Sequence, residues 1–251
     1  MDEIKITYHL IVKSGQTYEF VLVLDAATAL SINKPTAGPA GWTDLTFHQC
    51  PHCPLSPAEV KSCPVGLAIE SVIVTLGFLV SHEIVELEVT TQERCLRAKV
   101  PAQNAISSLL GLTIATSACP HTAFLRPMAR FHMPLASLDE TVFRVIGTFL
   151  IGEFIRAENT GAPINRSLEC LIDIYLNLEI MNKALAARIN AAGSLNEAGV
   201  NGLIILNTYA QFMQMLTNDS LSGIRSLFDA YLNRSLPSLS EPARDSPAYR
   251  I

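Results

Sequence analysis

The chain has 251 residues, a formal net charge of −5, and 49% apolar against 16% charged residues. That charge gives no bulk attraction to nucleic acid or to an anionic membrane surface. The charged fraction lies below the ~25% usual for soluble domains, so apolar surface is ample for one large domain or two lobes sharing a core, with some left for a subunit contact.

The first ten residues, MDEIKITYHL, are acidic and alternate in polarity, so they read as a strand and not as a secretory leader. Ile4, Ile6, Tyr8, Leu10 and Val12 alternate with polar neighbours, and Tyr18, Phe20, Leu22 and Leu24 repeat the pattern after Ser14-Gly15, which predicts a β-hairpin over 3–25. Residues 31–42 carry Pro35, Gly38, Pro39 and Gly41 and read as a loop, followed by a short strand over 43–47. Ser56-Pro57-Ala58-Glu59 has the capping-box pattern and predicts a helical turn. Cys63-Pro64 reads as a second helix start, with Cys63 as cap and Pro64 at the first position, running to about Val80. A second strand pair is expected over 84–91 and 94–100, then an apolar helix over 102–117. Beyond Leu138 the pattern turns helical: 139–158, 166–191, 196–216 and 221–232, with Leu168, Leu171, Ile172, Tyr175, Leu178, Leu185 and Ile189 forming one stripe. No run reaches the ~20 apolar residues that cross a bilayer; 71–80 is short, and 142–155 contains Arg144 and Glu153. The expected fold is α+β: antiparallel strands with cysteine-bearing helices over 1–137, a helical lobe over 138–234 packed on them, and a loose tail over 235–251.

Four of the six cysteines are followed directly by proline: Cys50-Pro51, Cys53-Pro54, Cys63-Pro64 and Cys119-Pro120. Proline at average usage would give only ~0.3 such pairs, so one shared role is expected, and a Cys₄ metal or cluster site is the leading reading. Cys50-Pro-His-Cys53 is a local clamp for a soft metal, and a helix N-terminus at Cys63 favours the thiolate that metals require. Pro54 stands where a zinc knuckle places glycine at positive φ, and there is no second CxxC, so the ribbon pattern fails. Iron–sulfur sites accept Cys-Pro. A [4Fe–4S] cluster and a closed Cys₄ zinc site both stay open, against four inert buried thiols. Cys170 reads as core packing, as do Met213 and Met215.

Residues 119–134 hold His121, Arg126, Arg130 and His132 between prolines. With His48 and His52 they form a candidate outer shell. The histidines are potential substitute ligands, and the arginines would offset the net −2 of such a site or bind an anionic ligand; the plainer reading pairs the arginines with acids such as Glu140 or Glu153. His82-Glu83-Ile84-Val85-Glu86 lacks the second histidine of a zincin, and the usual phosphate-loop and nucleophile-elbow patterns are absent.

The segments FHQCPHCPL over 47–55, SACPH over 117–121, RPMARFHMP over 126–134 and ETVFR over 140–144 resemble a bacterial family defined only as a domain of unknown function. NKALAAR over 182–188 and EAGVN over 197–201 fit it too. The resemblance covers nearly the whole chain and implies a bacterial, cytoplasmic, single-unit protein; it brings no activity, cofactor or partner. Three functions therefore compete: a metal- or iron–sulfur protein with a redox role, a structural-zinc protein serving interaction or oligomerisation, and an enzyme using Cys53 or Cys119 as nucleophile with His121 or His132 as base. The expected partners are a small anionic ligand or a redox protein, and a second copy of the chain, but neither nucleic acid nor membrane.

Overall fold

A computed structural model describes residues 2–33, 40–193, 197–215 and 222–233. The first hairpin forms as its alternation predicts, β1 (Glu3–Ile11) against β2 (Thr17–Asp25). Its turn needs Gly15, whose φ of +85° a side chain would resist. A second hairpin, β3 (Ile84–Thr90) and β4 (Cys95–Pro101), joins it in an antiparallel sheet of order β2-β1-β3-β4. One face is polar. The other buries Ile4, Ile6, Tyr8 and Leu10 of β1, Leu22 and Leu24 of β2, and Val85, Leu87 and Val89 of β3. Each such aliphatic side chain contributes about 1.5–3 kcal/mol by leaving water. The fold is α+β.

Between the hairpins runs α1 (Pro64–Leu76), which stops short of the expected Val80. After them comes α2 (Ala102–Ala115), apolar on most of its circumference because it is sandwiched: it meets α1, β3 and β4 on one side and α6 on another. A 3₁₀ turn over Pro120–Leu125 and the short α3 (Arg126–Arg130) lead to α4 (Leu138–Thr160), α5 (Glu169–Ala191) and α6 (Glu197–Gln214). Helix α4 starts at a full capping box, Ser137 with Glu140, and ends on Gly161 at φ +69°. Helices α5 and α6 pair along their length. Glu179 of α5 ties them, accepting from Gln211 and Gln214 of α6; its bond from Lys183, then those from Gln214 and Gln211, hold its carboxyl down at about 2.

By contacts the chain divides into Met1–Leu216 and Thr217–Ile251. The second unit holds α7 (Ser222–Arg225), a 3₁₀ turn over Ser226–Phe228, and α8 (Asp229–Leu232), short pieces where one helix over 221–232 was expected. The tail expected over 235–251 lies outside the described residues, as do 34–39 of the first loop.

Three local expectations change. The segment over 43–47 is not a strand: residues Gly41–Thr43 wind into a 3₁₀ turn and only Asp44 bridges to Ser62. Its carbonyls are drawn to a side chain of α5 instead of a neighbouring strand, as described below. Cys170 is exposed, not packed in the core, and its sulfur accepts from Asn165 Nδ2 at 3.2 Å. Met213 is fully buried as expected, but Met215, one turn-half later, is 73% exposed.

Helix α6 approaches α2 closely at Gly202. A methyl at Gly202 would stand 3.2 Å from the backbone nitrogen of Ser107 and 3.3 Å from Ile106. Gly202→Val is therefore expected to lower stability by about 1–3 kcal/mol through overpacking, read as a lower urea midpoint with unchanged slope; an unchanged midpoint would mean the helices part at no cost.

Candidate functional site

The CxxC closes a tight turn: the Cys53 N–H donates to the Cys50 carbonyl at 3.0 Å, with Pro51 and His52 at its tip. Positive φ does occur here, but before the first cysteine, on the exposed His48 at +45°, where proline at 54 is no obstacle. Cys63 caps α1 as the sequence predicts, its sulfur accepting from the Gly66 N–H at 3.5 Å. The absence of a side chain at Gly66 lets this turn lie against Thr43, to whose carbonyl Cys63 N–H donates at 2.7 Å. Cys119 precedes the 3₁₀ turn that follows α2.

These three segments meet. The His52 and His121 rings stack with centroids 4.1 Å apart and planes 23° from parallel, and His121 Nε2 donates to the His52 carbonyl at 3.1 Å. His52 Nε2 in turn donates to the Asn177 carbonyl of α5 at 3.0 Å. With both Nε2 atoms acting as donors, the Nδ1 of His52 is an acceptor; it is buried and has no partner among the described residues. Burial and the neighbouring His121 hold His52 below the ordinary histidine range.

The four proline-linked thiols occupy one electrostatic neighbourhood. Burial pushes the Cys50 thiol up to about 12, and Cys63, Cys53 and Cys119 each add to the rise. Cys119 is raised by burial and by Cys63 and Cys53, opposed by the backbone N–H groups of His121 and Thr122, although neither closes a capping hydrogen bond to its sulfur. Cys63 and Cys119 are buried, and Cys50 and Cys53 half-buried. As they stand, no three His, Cys, Asp or Glu side chains among the described residues are arranged to hold a metal ion. The thiols act on one another electrostatically without forming a coordination shell among the described residues.

One charged residue at this site was not foreseen. Arg188 of α5 is 1% exposed, and its guanidinium acts on Cys50, pulling the thiol's pKa down. Nη1 donates to the carbonyls of Trp42 at 2.7 Å and Asp44 at 2.5 Å, and Nη2 to that of Leu45 at 3.4 Å. No carboxylate pairs with it among the described residues. A buried full charge normally has a counter-charge; the titratable group on which Arg188 acts here is the Cys50 thiol. Its place on the α5 stripe, between Leu185 and Ile189, was the available signal: a cation where the pattern calls for an apolar residue.

The arginines singled out in the sequence sit otherwise. Arg130 lies 3.9 Å from the Glu93 carboxylate in the β3–β4 turn and over the Phe131 ring, 5.2 Å from its centroid. Arg126 is half-buried, with an Nε that has no partner among the described residues. Neither is the cation that acts on Cys50. His132 belongs to a different cluster, its Nε2 bonded to the hydroxyl of the fully buried Tyr8, which also meets Ser108 Oγ at 2.9 Å; Leu135 N–H donates to that Oγ at 3.3 Å. Some of the His132 surface stays accessible, but Nε2 faces inward; burial and Arg144 hold the imidazole down at about 3. With His132 neutral, one chain of donors is consistent: Leu135 N–H to Ser108, Ser108 O–H to Tyr8, Tyr8 O–H to His132.

The chain belongs to the family described as Domain of unknown function (DUF6901), whose model matches residues 6–229. No curated protein and no solved structure matches it. No helix among the described residues of this DUF6901 protein is long and apolar enough to cross a membrane.

Two predictions follow from these groups. A histidine depressed by folding adds stability above its unfolded value near 6.5 that is lost progressively as pH falls toward about 3. Stability should therefore decline from pH 6.5 to 4.5, above the range in which Glu179 titrates, and His132→Asn should flatten that decline; equal slopes in both proteins would contradict it. Arg188→Met leaves three carbonyls without their donor and should cost at least about 2 kcal/mol in denaturant unfolding; a loss under 0.5 kcal/mol, on the order of an ordinary surface substitution, would show that the clamp contributes nothing.

Proposed function

We propose that this DUF6901 protein binds a metal or iron–sulfur cluster through Cys50, Cys53, Cys63 and Cys119, with a redox role. The observation that carries the reading is the buried Arg188, which lacks a carboxylate partner among the described residues and acts on the Cys50 thiol. A Cys₄ site with zinc or an oxidised [4Fe–4S] cluster has a net charge of −2, and Arg188 would offset part of it. The raised thiols are not an obstacle, because a metal takes the place of the protons. They do weigh against a free thiolate nucleophile at Cys50 or Cys119. The unpartnered His52 Nδ1 in the CxxC turn is an additional donor of the right kind. His48, His121, Arg126 and Arg130 remain proposed only as outer groups, and His132, bonded to Tyr8 in a separate cluster, leaves that set. The reduced cytoplasm of a bacterium is the setting in which such thiols stay available.

A second reading, a structural-zinc protein acting in interaction or self-association, is favoured by one feature of α4. That helix leaves Phe143, Leu150, Ile151, Phe154 and Ile155 exposed along one side, an apolar stripe of the kind that pairs with another surface.

Full-length protein purified without air separates the readings. The cluster reading predicts brown protein with about four iron and four acid-labile sulfides per chain, lost together in Cys63→Ser or Cys119→Ser and retained in Cys170→Ser. Colourless protein holding about one zinc per chain would select the second reading. Protein with neither iron nor zinc, whose melting ignores chelator, would reject both.

A further inference from the structure

A cavity of about 440 Å³ lies away from the cysteines, between α2, α5, α6 and the start of α4. Its volume falls within the ~300–1,000 Å³ range of small-molecule sites. Leu112, Leu178 and Leu206 supply apolar wall, while Arg144, Asn182 and Tyr209 bring polar groups to it. No Asp or Glu lines it among the described residues.

Arg144 sets the chemistry. Its Nη2 donates to the carbonyls of Met128 at 2.8 Å and Phe131 at 3.2 Å, which fixes the guanidinium at the cavity wall. Among the described residues nothing bonds Nε or Nη1, and no carboxylate forms an ion pair with the group. The nearest acid on its own helix, Glu140, acts on Arg144 through space, but its carboxylate makes its hydrogen bond to the Ser137 N–H at 2.7 Å in the helix cap and forms no ion pair with the guanidinium. A half-buried guanidinium with an unbonded edge matches a carboxylate's two oxygens, and the leucine walls match an apolar body.

We propose that this cavity binds a small amphiphilic carboxylate, an alkyl or aryl acid whose carboxylate meets Arg144 and whose apolar part lies among Leu112, Leu178 and Leu206. Neutral molecules of the same shape bind less well, because they leave the guanidinium desolvated and unpaired. His132, neutral at physiological pH, adds no competing positive charge beside it. The site is independent of the cysteines, so it stands or falls apart from the metal reading.

The test is calorimetric titration of the full chain with decanoate, 3-phenylpropanoate and decanol. At least one acid should bind about tenfold more tightly than the alcohol, and comparing the two acids tells an alkyl from an aryl preference. Arg144→Gln should weaken acid binding by about tenfold or more and leave decanol within about twofold. Because Arg144 also anchors the end of α3, its replacement risks unfolding. Ala136→Phe, which fills the cavity from its rim, is the second variant and should abolish binding of both acids. Failure of both acids to bind at millimolar concentration, equal affinity for acid and alcohol in the unaltered protein, or unchanged acid binding in a folded Arg144→Gln or Ala136→Phe would overturn the proposal.

Discussion

Arg188 carries a positive charge into a place from which solvent is nearly excluded. Moving a guanidinium out of water costs several kcal/mol unless its donors are met and its charge offset. The donors are met by carbonyls from residues 42, 44 and 45, some 145 positions earlier in the sequence. That contact bends the loop before the CxxC turn onto α5. The same loop holds the start of α1 through Thr43 and Cys63, and through the bridge of Asp44 to Ser62. The geometry of two of the three cysteine segments, the CxxC turn and the Cys63 cap, thus depends on one side chain, while the His52–His121 stack ties in the third. The same guanidinium acts on the Cys50 thiol, pulling its pKa down against the rise that burial causes.

Two regions of polar chemistry therefore lie in one compact unit, each built on a cation without a carboxylate partner among the described residues. Around Arg188 the neighbours are backbone carbonyls and the Cys50 thiol, a donor of the kind a soft metal takes. Around Arg144 they are leucines and amide or phenol groups, suited to an organic anion. Helix α5 serves both, through Arg188 at one and Leu178 and Asn182 at the other, and a shift of α5 along its axis would reach both places together.

Most of the fold was legible in the sequence because it rests on period. The strict alternation of Ile4, Ile6, Tyr8 and Leu10 marks a sheet with one buried face, and Cys63-Pro64 marks a helix start through capping chemistry that is local by nature. Illegible parts are those where a distant side chain decides. Thr43 through Phe47 has strand-forming residues, but the Asp44 and Leu45 carbonyls go to Arg188, so pairing stops at a single bridge from Asp44 to Ser62. Cys170 stands next to the buried Leu171 yet points to solvent, a matter of about 100° around the helix that composition does not reveal. An excess of one dipeptide predicts that the Cys-Pro pairs converge on a metal; the structure brings the CxxC turn to the Cys119 segment through His52 and His121 but arranges no metal-holding group among the described residues. Arg188 needed the added reading that a charge on an apolar stripe is expensive and must be compensated.

The most direct measurement is X-ray absorption at the metal edge of the full-length protein prepared without air. The account predicts a shell of sulfur donors, near 2.3 Å if the metal is zinc, that loses sulfur scatterers in Cys119→Ser. A first shell of nitrogen and oxygen alone, or no metal above the level of the surrounding buffer, would leave the Arg188 charge without the partner proposed for it and would contradict the account.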